Sequence, residues 1–281
     1  MPELPEVETI ARGLASRVSG DVIESVWLGQ KPEPLKSTAL EIAAALEHSR
    51  IATVRRVGKH IVFDLEPKGR GRVRSRQSHV PPTASAQWIV HLGMTGRLQV
   101  CEPQTEILKH THAILKLASG RELRFVDPRR FGRLSIARGF EAAGIEPLEA
   151  EFDPFFALFR SRKTPIKSAL LNQKLLRGVG NIYADESLFR AGIRPRRSAS
   201  TITREQLARL LSSIKVVLNE AIALGGSSIS DYVDADGEEG FFQLQHRVYG
   251  REGEPCLVCK TLVKRIVIGG RSSHYCAKCQ K

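Results

Sequence analysis

Two cysteine pairs near the end of the chain place the strongest constraint on its fold. Cys256-x2-Cys259 and Cys276-x2-Cys279 are separated by 16 residues. Each pair can form a tight knuckle, and the two together can supply four thiolates to one tetrahedral Zn²⁺ in a reducing compartment. The alternating pattern of Val263–Tyr275, broken by Gly269-Gly270, predicts a hairpin between them. We therefore predict a C-terminal ribbon with one structural zinc, since four thiolates leave no open coordination position.

The charge of the chain indicates a polyanionic partner. Lys and Arg number 43 against 30 Asp and Glu, which gives a formal net charge of +13 and a pI near 9.8. Such an excess favours nucleic acid over other partner classes. The segment 251–281 carries seven Lys and Arg against two acidic residues, so the ribbon is expected to contact phosphates. A metal clip that only stabilises the fold is the alternative.

The sequence lacks the signals of export and membrane insertion. No stretch approaches the roughly 18 consecutive apolar residues of a membrane span. The N-terminus, Met-Pro-Glu-Leu-Pro-Glu-Val-Glu, has neither the basic flank nor the apolar run of a secretory signal. A cytoplasmic protein is the prediction.

Hydrophobic periodicity predicts an N-terminal β-rich part. Leu4-Pro5 followed by Val7, Ile10 and Leu14 at helical spacing predicts a first helix. Short alternating or β-branched runs, broken by Gly and Pro, then occupy 22–126, with a short helix at Ile42–Leu46. This part is predicted to be an antiparallel β-sandwich or barrel with a helix laid across it.

From about residue 150 the pattern becomes helical. Lys167–Leu176 and Asn181–Ala191 are predicted helices on either side of Gly178-Val-Gly180. Thr203-x-x-Gln206 is a capping box that opens a long amphipathic helix, which Gly225-Gly226 ends. The whole chain is therefore predicted to be α+β.

The extreme N-terminus could be a nucleophile. Pro2 is small enough that removal of Met1 is expected, and this would expose a secondary amine. An α-amino group has a pKa near about 8, so a useful fraction is neutral and nucleophilic at physiological pH. Attack on a nucleotide sugar would give an iminium, and Glu3 could shuttle protons during elimination. The alternative is that Pro2-Glu3 only leads into the helix.

Six separated motifs resemble bacterial formamidopyrimidine-DNA glycosylase, in the same order over nearly the whole chain. Together with Lys59 they are Met1-Pro-Glu-Leu-Pro-Glu-Val-Glu-Thr9, His91-Leu-Gly-Met-Thr-Gly96, Asp127-Pro-Arg-Arg-Phe-Gly132, Gly178-Val-Gly-Asn-Ile-Tyr-Ala-Asp-Glu-Ser-Leu-Phe189, Tyr249-Gly-Arg251 and the final cysteine pairs. The resemblance implies a monomeric, nucleoid-associated, bifunctional base-excision repair enzyme. It would excise 8-oxoguanine and formamidopyrimidines from double-stranded DNA and cleave the abasic strand by β,δ-elimination.

The resemblance also implies three domains. They are an N-terminal catalytic β-sandwich at 1–138, a helical domain with a helix-two-turn-helix motif at 139–246, and a zinc ribbon at 247–281. The last two would grip the DNA.

By their motifs, Pro2 resembles the family's nucleophile and Glu3 resembles its proton donor and acceptor. Lys59, which we expect on a strand, resembles the family's catalytic-site lysine. Ordinary solvation on the strand surface is the alternative for Lys59. Arg271 at the ribbon tip resembles an arginine inserted between the phosphates that flank the lesion. The metal ligands are Cys256, Cys259, Cys276 and Cys279.

Met94, Arg129 and Phe131 fall at the family's intercalating positions, and we call them the wedge residues. A flipped-out base leaves a gap that an apolar wedge and a hydrogen-bond donor can fill. Taken alone, Met94 and Phe131 are typical core residues, but their flanking glycines favour exposed loop tips. The remaining contacts that the resemblance assigns to DNA are those of His91, Arg130, Lys167, Asn181 and Arg271.

Some assignments stay open. Arg130 could bind phosphate or form an ion pair with Asp127. In contrast, Tyr183 and Glu186 are expected to be packing and helix-surface residues. The basic stretch 66–87 is longer than the family's usual connection, and Ser230 replaces a commonly basic residue before the lesion-capping loop.

Two other functions compete. A non-catalytic zinc-ribbon DNA-binding protein would explain the charge and the cysteines but has no need of Pro2-Glu3. A sister glycosylase for oxidised pyrimidines shares the fold, but the motifs Asp127–Gly132 and Gly178–Tyr183 favour the purine-specific branch.

Overall fold

A computed structural model describes residues 1–67, 85–228, 235 and 240–281. Most of the predicted basic loop at 66–87, and Ser230, lie outside these residues. The chain divides into two compact units. The first unit contains Met1–Pro2 and Glu6–Glu141 with Ala235, and the second contains Glu3–Pro5, Ala142–Ser228 and Gly240–Lys281. The division at 1–138, 139–246 and 247–281 stays a prediction.

The first unit has the predicted N-terminal helix, apart from its first two residues, and a set of short strands. Helix α1 carries Glu6 in its first turn, where the helix dipole favours a carboxylate, and its buried face includes Val7, Ile10 and Leu14. The helices are α1 (Leu4–Val18) and α2 (Ala39–Leu46), and the strands are β1 (Ile23–Leu28), β2 (Ser49–Val57), β3 (His60–Pro67), β4 (Ala86–His91), β5 (Arg97–Cys101), β6 (Thr111–Leu117), β7 (Glu122–Val126) and β8 (Arg133–Arg138). Strand β8 was not among the predicted strands.

These strands form two antiparallel four-stranded sheets. Their orders are β1-β6-β7-β5 and β2-β3-β4-β8. Side chains of both sheets share one core with the apolar face of α1, including Phe63, Trp88 and Phe125. Burying alternate residues of each strand in a common core is the packing of a sandwich. The predicted antiparallel sandwich with an N-terminal helix is therefore confirmed.

The second unit contains the helices and a hairpin. They are α3 (Phe152–Phe159), α4 (Ile166–Leu170), α5 (Asn181–Ala191), α6 (Arg204–Ala223), β9 (Lys264–Ile268) and β10 (Arg271–Tyr275), with short 3-10 helices at Ala199–Thr201 and Phe242–Gln245. The capping box of α6 is present, since Thr203 accepts from the Gln206 amide and the Gln206 side chain accepts from the Thr203 amide. The α+β class and the hairpin between the cysteine pairs are confirmed.

One predicted helix is shorter than expected. The segment Lys167–Leu176 is helical only to Leu170. Beyond that point Asn172 Oδ1 accepts from the Lys174 amide, and the Gln173 side chain accepts from Gly178 N and donates to Val179 O. Such side-chain bonds offer the backbone an alternative to the helix ladder, so the chain turns instead.

Within the described part of the chain, none of the helices is both long and apolar enough to cross a membrane.

Candidate functional site

The carboxylate of Glu3 lies at the N-terminus of α5. Glu3 is 5% exposed, and its Oε1 accepts from Ile182 N at 3.3 Å. The first amides of a helix lack intrahelical acceptors and carry the positive end of the helix dipole, so they stabilise a carboxylate. A hydrogen bond of 3.0 Å from Leu4 N to Gly178 O holds the next residue against the same turn. The turn Gly178-Val-Gly180 and the start of α5 therefore hold Glu3, the residue that follows Pro2.

Asn181 and Tyr249 form a polar pair beside this carboxylate. The Asn181 side chain makes a hydrogen bond with the Tyr249 hydroxyl. Burial raises the pKa of Tyr249, and the charges of Glu3 and Asp185 act in the same direction. Oδ1 of Asn181 is buried without a hydrogen-bond partner among the described residues, which leaves an acceptor available at the start of α5.

Lys167 forms a buried ion pair. Its Nζ lies 2.6 Å from Asp185 Oδ1, with both side chains fully buried. It also donates to Ser272 O at 2.6 Å, and Asp185 Oδ2 accepts from His274 N at 2.8 Å. Burial lowers the pKa of Lys167, although the Asp185 charge opposes this. Lys167 thus supports strand β10 in this structure, and its contact with DNA stays a prediction.

Arg271 stands where the sequence analysis expects it. It begins β10, next to the Gly269-Gly270 turn, pairs with Ile268 and is exposed. The following residue, Ser272, is the acceptor of the Lys167 bond. The exposed guanidinium is therefore carried by a backbone that is anchored inside the second unit.

The four cysteines of the ribbon converge. Their sulfurs all lie within 4.8 Å of one another, with 3.4 Å between Cys259 and Cys276 and 3.9 Å between Cys256 and Cys279. Sulfurs at tetrahedral corners around Zn²⁺ at about 2.3 Å stand about 3.8 Å apart, so this arrangement fits one ion. Thiolate ligands from two knuckles make this a structural zinc site, as predicted.

In the first unit, Lys59 lies in the turn between β2 and β3 and is 8% exposed. The expectation that it lies on a strand is wrong, because Gly58 at a φ of 60° turns the chain just before it. The positive charge of Lys59 acts on His91, which is the last residue of β4. Burial lowers the pKa of His91 to about 4, together with the charges of His60, Lys59 and Arg133.

His91 is consequently neutral near pH 7, with a defined tautomer. Its Nδ1 accepts from Gly93 N at 3.1 Å. A neutral imidazole that accepts at one nitrogen carries its proton on the other. Nε2 therefore carries the proton and is the hydrogen-bond donor of His91.

The wedge residues lie outside the core. Met94 is 41% and Phe131 47% exposed, and the Arg129 guanidinium lies 4.9 Å from the centre of the Phe131 ring. Neighbouring Arg130 pairs with Glu33 at 2.7 Å. The local ion pair suggested with Asp127 is therefore formed with Glu33 instead, because the Asp127 carboxylate is occupied by Thr95 and Gly132.

Tyr183 is fully buried as expected, but the prediction that Glu186 lies on the helix surface is wrong. Glu186 is 3% exposed and accepts from the amides of Arg247, Val248 and Tyr249. Burial raises its pKa, against the effect of these three bonds. The available signal was the position of Asp185 and Glu186 between the apolar residues Ile182–Ala184 and Leu188-Phe189.

Matches to known families agree with this geometry. Residues 1–134 match the formamidopyrimidine-DNA glycosylase N-terminal domain, 143–233 the formamidopyrimidine-DNA glycosylase H2TH domain, and 253–281 a zinc finger found in FPG and IleRS. Together they define a DNA glycosylase that carries a zinc finger. The chain is also 45% identical over 291 residues to the formamidopyrimidine-DNA glycosylase of Solibacter usitatus (strain Ellin6076), with both chains covered completely. It belongs to the formamidopyrimidine-DNA glycosylase family.

Solved structures show the same similarity. The MutM (Fpg) protein from Thermus thermophilus superposes with a TM-score of 0.83 at 40% identity, covering 99% of this chain and 98% of that one. A Lactococcus lactis Fpg mutant, crystallised in complex with a Fapy-dG containing DNA, gives a TM-score of 0.87 at 30% identity, with both chains fully covered.

Proposed function

We propose that this chain is a bifunctional DNA glycosylase and abasic lyase of base-excision repair. It removes oxidised purines, 8-oxoguanine and formamidopyrimidines, from double-stranded DNA and then cleaves the abasic strand by β,δ-elimination. The observation that carries the proposal is the buried Glu3 carboxylate at the N-terminus of α5, directly after Pro2. The family relationship supports the substrate class, since a Lactococcus lactis member has been crystallised with a Fapy-dG containing DNA.

The chemistry begins at Pro2, once Met1 has been removed. Its secondary amine attacks C1′ of the damaged nucleotide, the glycosidic bond breaks, and the base leaves with a proton. Opening of the sugar gives an iminium that withdraws electrons from C2′. Loss of a C2′ proton then expels the 3′ phosphate, and a second elimination expels the 5′ phosphate. Glu3 is the group that gives and takes protons in these steps.

Other side chains hold the DNA in this proposal. Lys59 and the neutral His91 contact phosphates of the damaged strand, and the wedge residues fill the gap left by the flipped base. Asn181 and Arg271 bind phosphates near the lesion. Arg130 binds phosphate after leaving Glu33. Lys167 reaches DNA only if its pair with Asp185 opens, so its first role is to support the strand that carries Arg271.

The structural zinc keeps the hairpin of Arg271 folded, and Cys256, Cys259, Cys276 and Cys279 hold it. The protein acts as a monomer in the cytoplasm, at the nucleoid. Its DNA substrate and its net charge of +13 support the location at the nucleoid.

Borohydride trapping tests the nucleophile. Reduction during reaction with a duplex that contains 8-oxoguanine should give a stable protein–DNA adduct, and peptide mapping should place it on Pro2. An adduct on Lys59, or full activity of a form that retains Met1, would reject the assignment. Glu3→Gln should keep lesion binding and lose base excision, because it removes proton transfer with little change in shape.

A parallel assay separates the purine enzyme from the sister activity. Duplexes with a single 8-oxoguanine, a formamidopyrimidine or an oxidised pyrimidine are compared under single-turnover conditions. The oxidised purines should be cleaved fastest. Faster cleavage of the oxidised pyrimidine would show that the chain is the sister glycosylase for oxidised pyrimidines. The assignment of Pro2 as the nucleophile would not be affected.

A further inference from the structure

One buried carboxylate links the two loops that carry the wedge residues. Asp127 follows strand β7 and is fully buried. Its Oδ1 accepts from the Thr95 hydroxyl at 2.6 Å, and its Oδ2 accepts from Gly132 N at 2.7 Å. Thr95 is the residue after Met94, and Gly132 is the residue after Phe131. Asp127 therefore binds the position next to each apolar side chain of the wedge.

The Thr95 hydroxyl connects the third wedge residue to the same network. While its proton goes to Asp127, its oxygen accepts from Arg129 N at 3.3 Å. The backbone of Asp127 contributes as well, because its carbonyl accepts from Arg130 N at 3.2 Å and contacts His112 Nε2 at 3.0 Å. One side-chain pair thus holds the main chain beside Met94, Arg129 and Phe131.

The two loops also touch through their backbones. Gly93 has a φ of 64°, and a Cβ at this position would lie 2.5 Å from both Gly132 N and Phe131 C. Side-chain atoms are therefore excluded from the junction. Within the loop that carries Phe131, Arg133 Nη1 donates to Arg130 O at 3.2 Å and to Gly132 O at 2.7 Å. The two loops are therefore joined both through the Asp127 carboxylate and through a close backbone contact.

We propose that Asp127 and Thr95 are positioning residues that hold the wedge in its insertion geometry before DNA is bound, and we call them the Asp127–Thr95 clamp. Neither residue needs to touch DNA for this role. A side chain that is ordered in advance avoids the entropic cost of ordering it during base extrusion. The inference rests on the proposed function of Met94, Arg129 and Phe131 as the wedge.

The test uses Thr95→Val, which removes the hydroxyl with little change in shape, and Thr95→Ser, which retains it. Excision from an intact 8-oxoguanine duplex should slow about tenfold or more in Thr95→Val, because both hydrogen bonds of the hydroxyl are lost and the buried Asp127 carboxylate loses a donor. Thr95→Ser should stay within about twofold of the parent, since its hydroxyl can make both bonds. On a duplex with a preformed abasic site, both variants should cleave within about twofold of the parent, because base extrusion is no longer needed.

Met94→Ala is the reference for the wedge itself. If Met94→Ala does not slow excision from the intact duplex, the wedge assignment fails and the clamp with it. If Met94→Ala is slow but Thr95→Val matches the parent, the clamp alone is overturned. Equal impairment of Thr95→Val on both substrates would show a general structural defect and also overturn the clamp.

Gly93→Ala tests the same idea without altering any hydrogen-bonding side chain. Its methyl group would separate the two loop backbones at their junction. Slow excision from the intact duplex, with normal cleavage at the abasic site, is the expected result. Parent-like excision by Gly93→Ala would show that the wedge tolerates separated loops and would contradict the proposal.

Discussion

A methyl group on Gly180 would stand 2.1 Å from the carboxyl carbon of Glu3, and within 2.5 Å of both carboxylate oxygens. Real Cβ atoms do not approach other atoms so closely, so either the carboxylate or the start of α5 would have to move. The absence of a side chain at Gly180 is thus a condition for burying the proposed proton-transfer group where the helix amides can stabilise it.

Gly180→Ala should therefore slow base excision. The displaced Glu3 loses its geometry for proton transfer, and such catalysis is commonly worth about 10²-fold or more. Single-turnover excision from an 8-oxoguanine duplex measures the effect. Gly29→Ala is a matched control, because a Cβ there meets only ordinary contacts at 3.5 Å. An undiminished rate in Gly180→Ala would mean that the position of Glu3 is not critical.

The role of the zinc site can be tested by replacing one cysteine within the site and, as a control, one cysteine outside it. Cys279→Ser should lose the single equivalent of zinc and bind lesion DNA more weakly, because the hairpin that carries Arg271 loses its support. Cys101→Ser should keep both, since Cys101 stands apart from the four converging cysteines. Metal analysis and DNA titration provide the readouts. Strong DNA binding by metal-free protein would contradict the dependence of the hairpin on zinc.

The buried pair Lys167–Asp185 should matter for stability. Asp185→Ala leaves the ammonium buried without its carboxylate, which typically costs about 3–5 kcal/mol of unfolding free energy. The double variant Lys167→Met with Asp185→Leu should recover part of this loss, as an apolar pair leaves no buried charge. Urea unfolding measures both. The exposed pair Arg209–Glu205 is the control, and Glu205→Ala should change stability by less than about 1 kcal/mol. A similarly small effect of Asp185→Ala would contradict the prediction.

His91 should make the first unit less stable in mild acid. Burial is the main cause that lowers its folded-state pKa to about 4, whereas an unfolded histidine titrates near 6.5. As the pH falls below 6.5 the unfolded chain binds the proton first, so stability is lost until the pH reaches the folded pKa. His91→Asn should remove about 1 kcal/mol of the loss between pH 7 and 5.5. Urea unfolding at both pH values tests this.

His48→Asn is the control for that experiment, because His48 is exposed and has a φ of 62°, a conformation that Asn tolerates. It should keep the pH dependence of the parent. Equal pH dependence in His91→Asn and the parent would show that His91 does not carry this proton linkage.

Local patterns accounted for much of the fold. The spacing of the four cysteines predicted the zinc site, the run Val7, Ile10 and Leu14 predicted α1, and Thr203-x-x-Gln206 located the start of α6. These features depend on neighbours within a few residues, or on a repeating period, and so can be seen without the rest of the molecule. Likewise, the glycines beside Met94 and Phe131 indicated exposed loop tips.

Tertiary structure decided which distant groups meet. Glu3 and Gly180 are far apart in sequence, and only packing brings the carboxylate to the start of α5. Likewise, the sequence showed Lys167 as a basic residue, but folding buries it against Asp185. Hydrophobic periodicity indicates which face of a helix or strand is buried. The partner of a buried polar group depends instead on how separate helices and strands pack. The sequence by itself therefore determined most of the elements and the metal site, and folding determined the surroundings of each charged side chain.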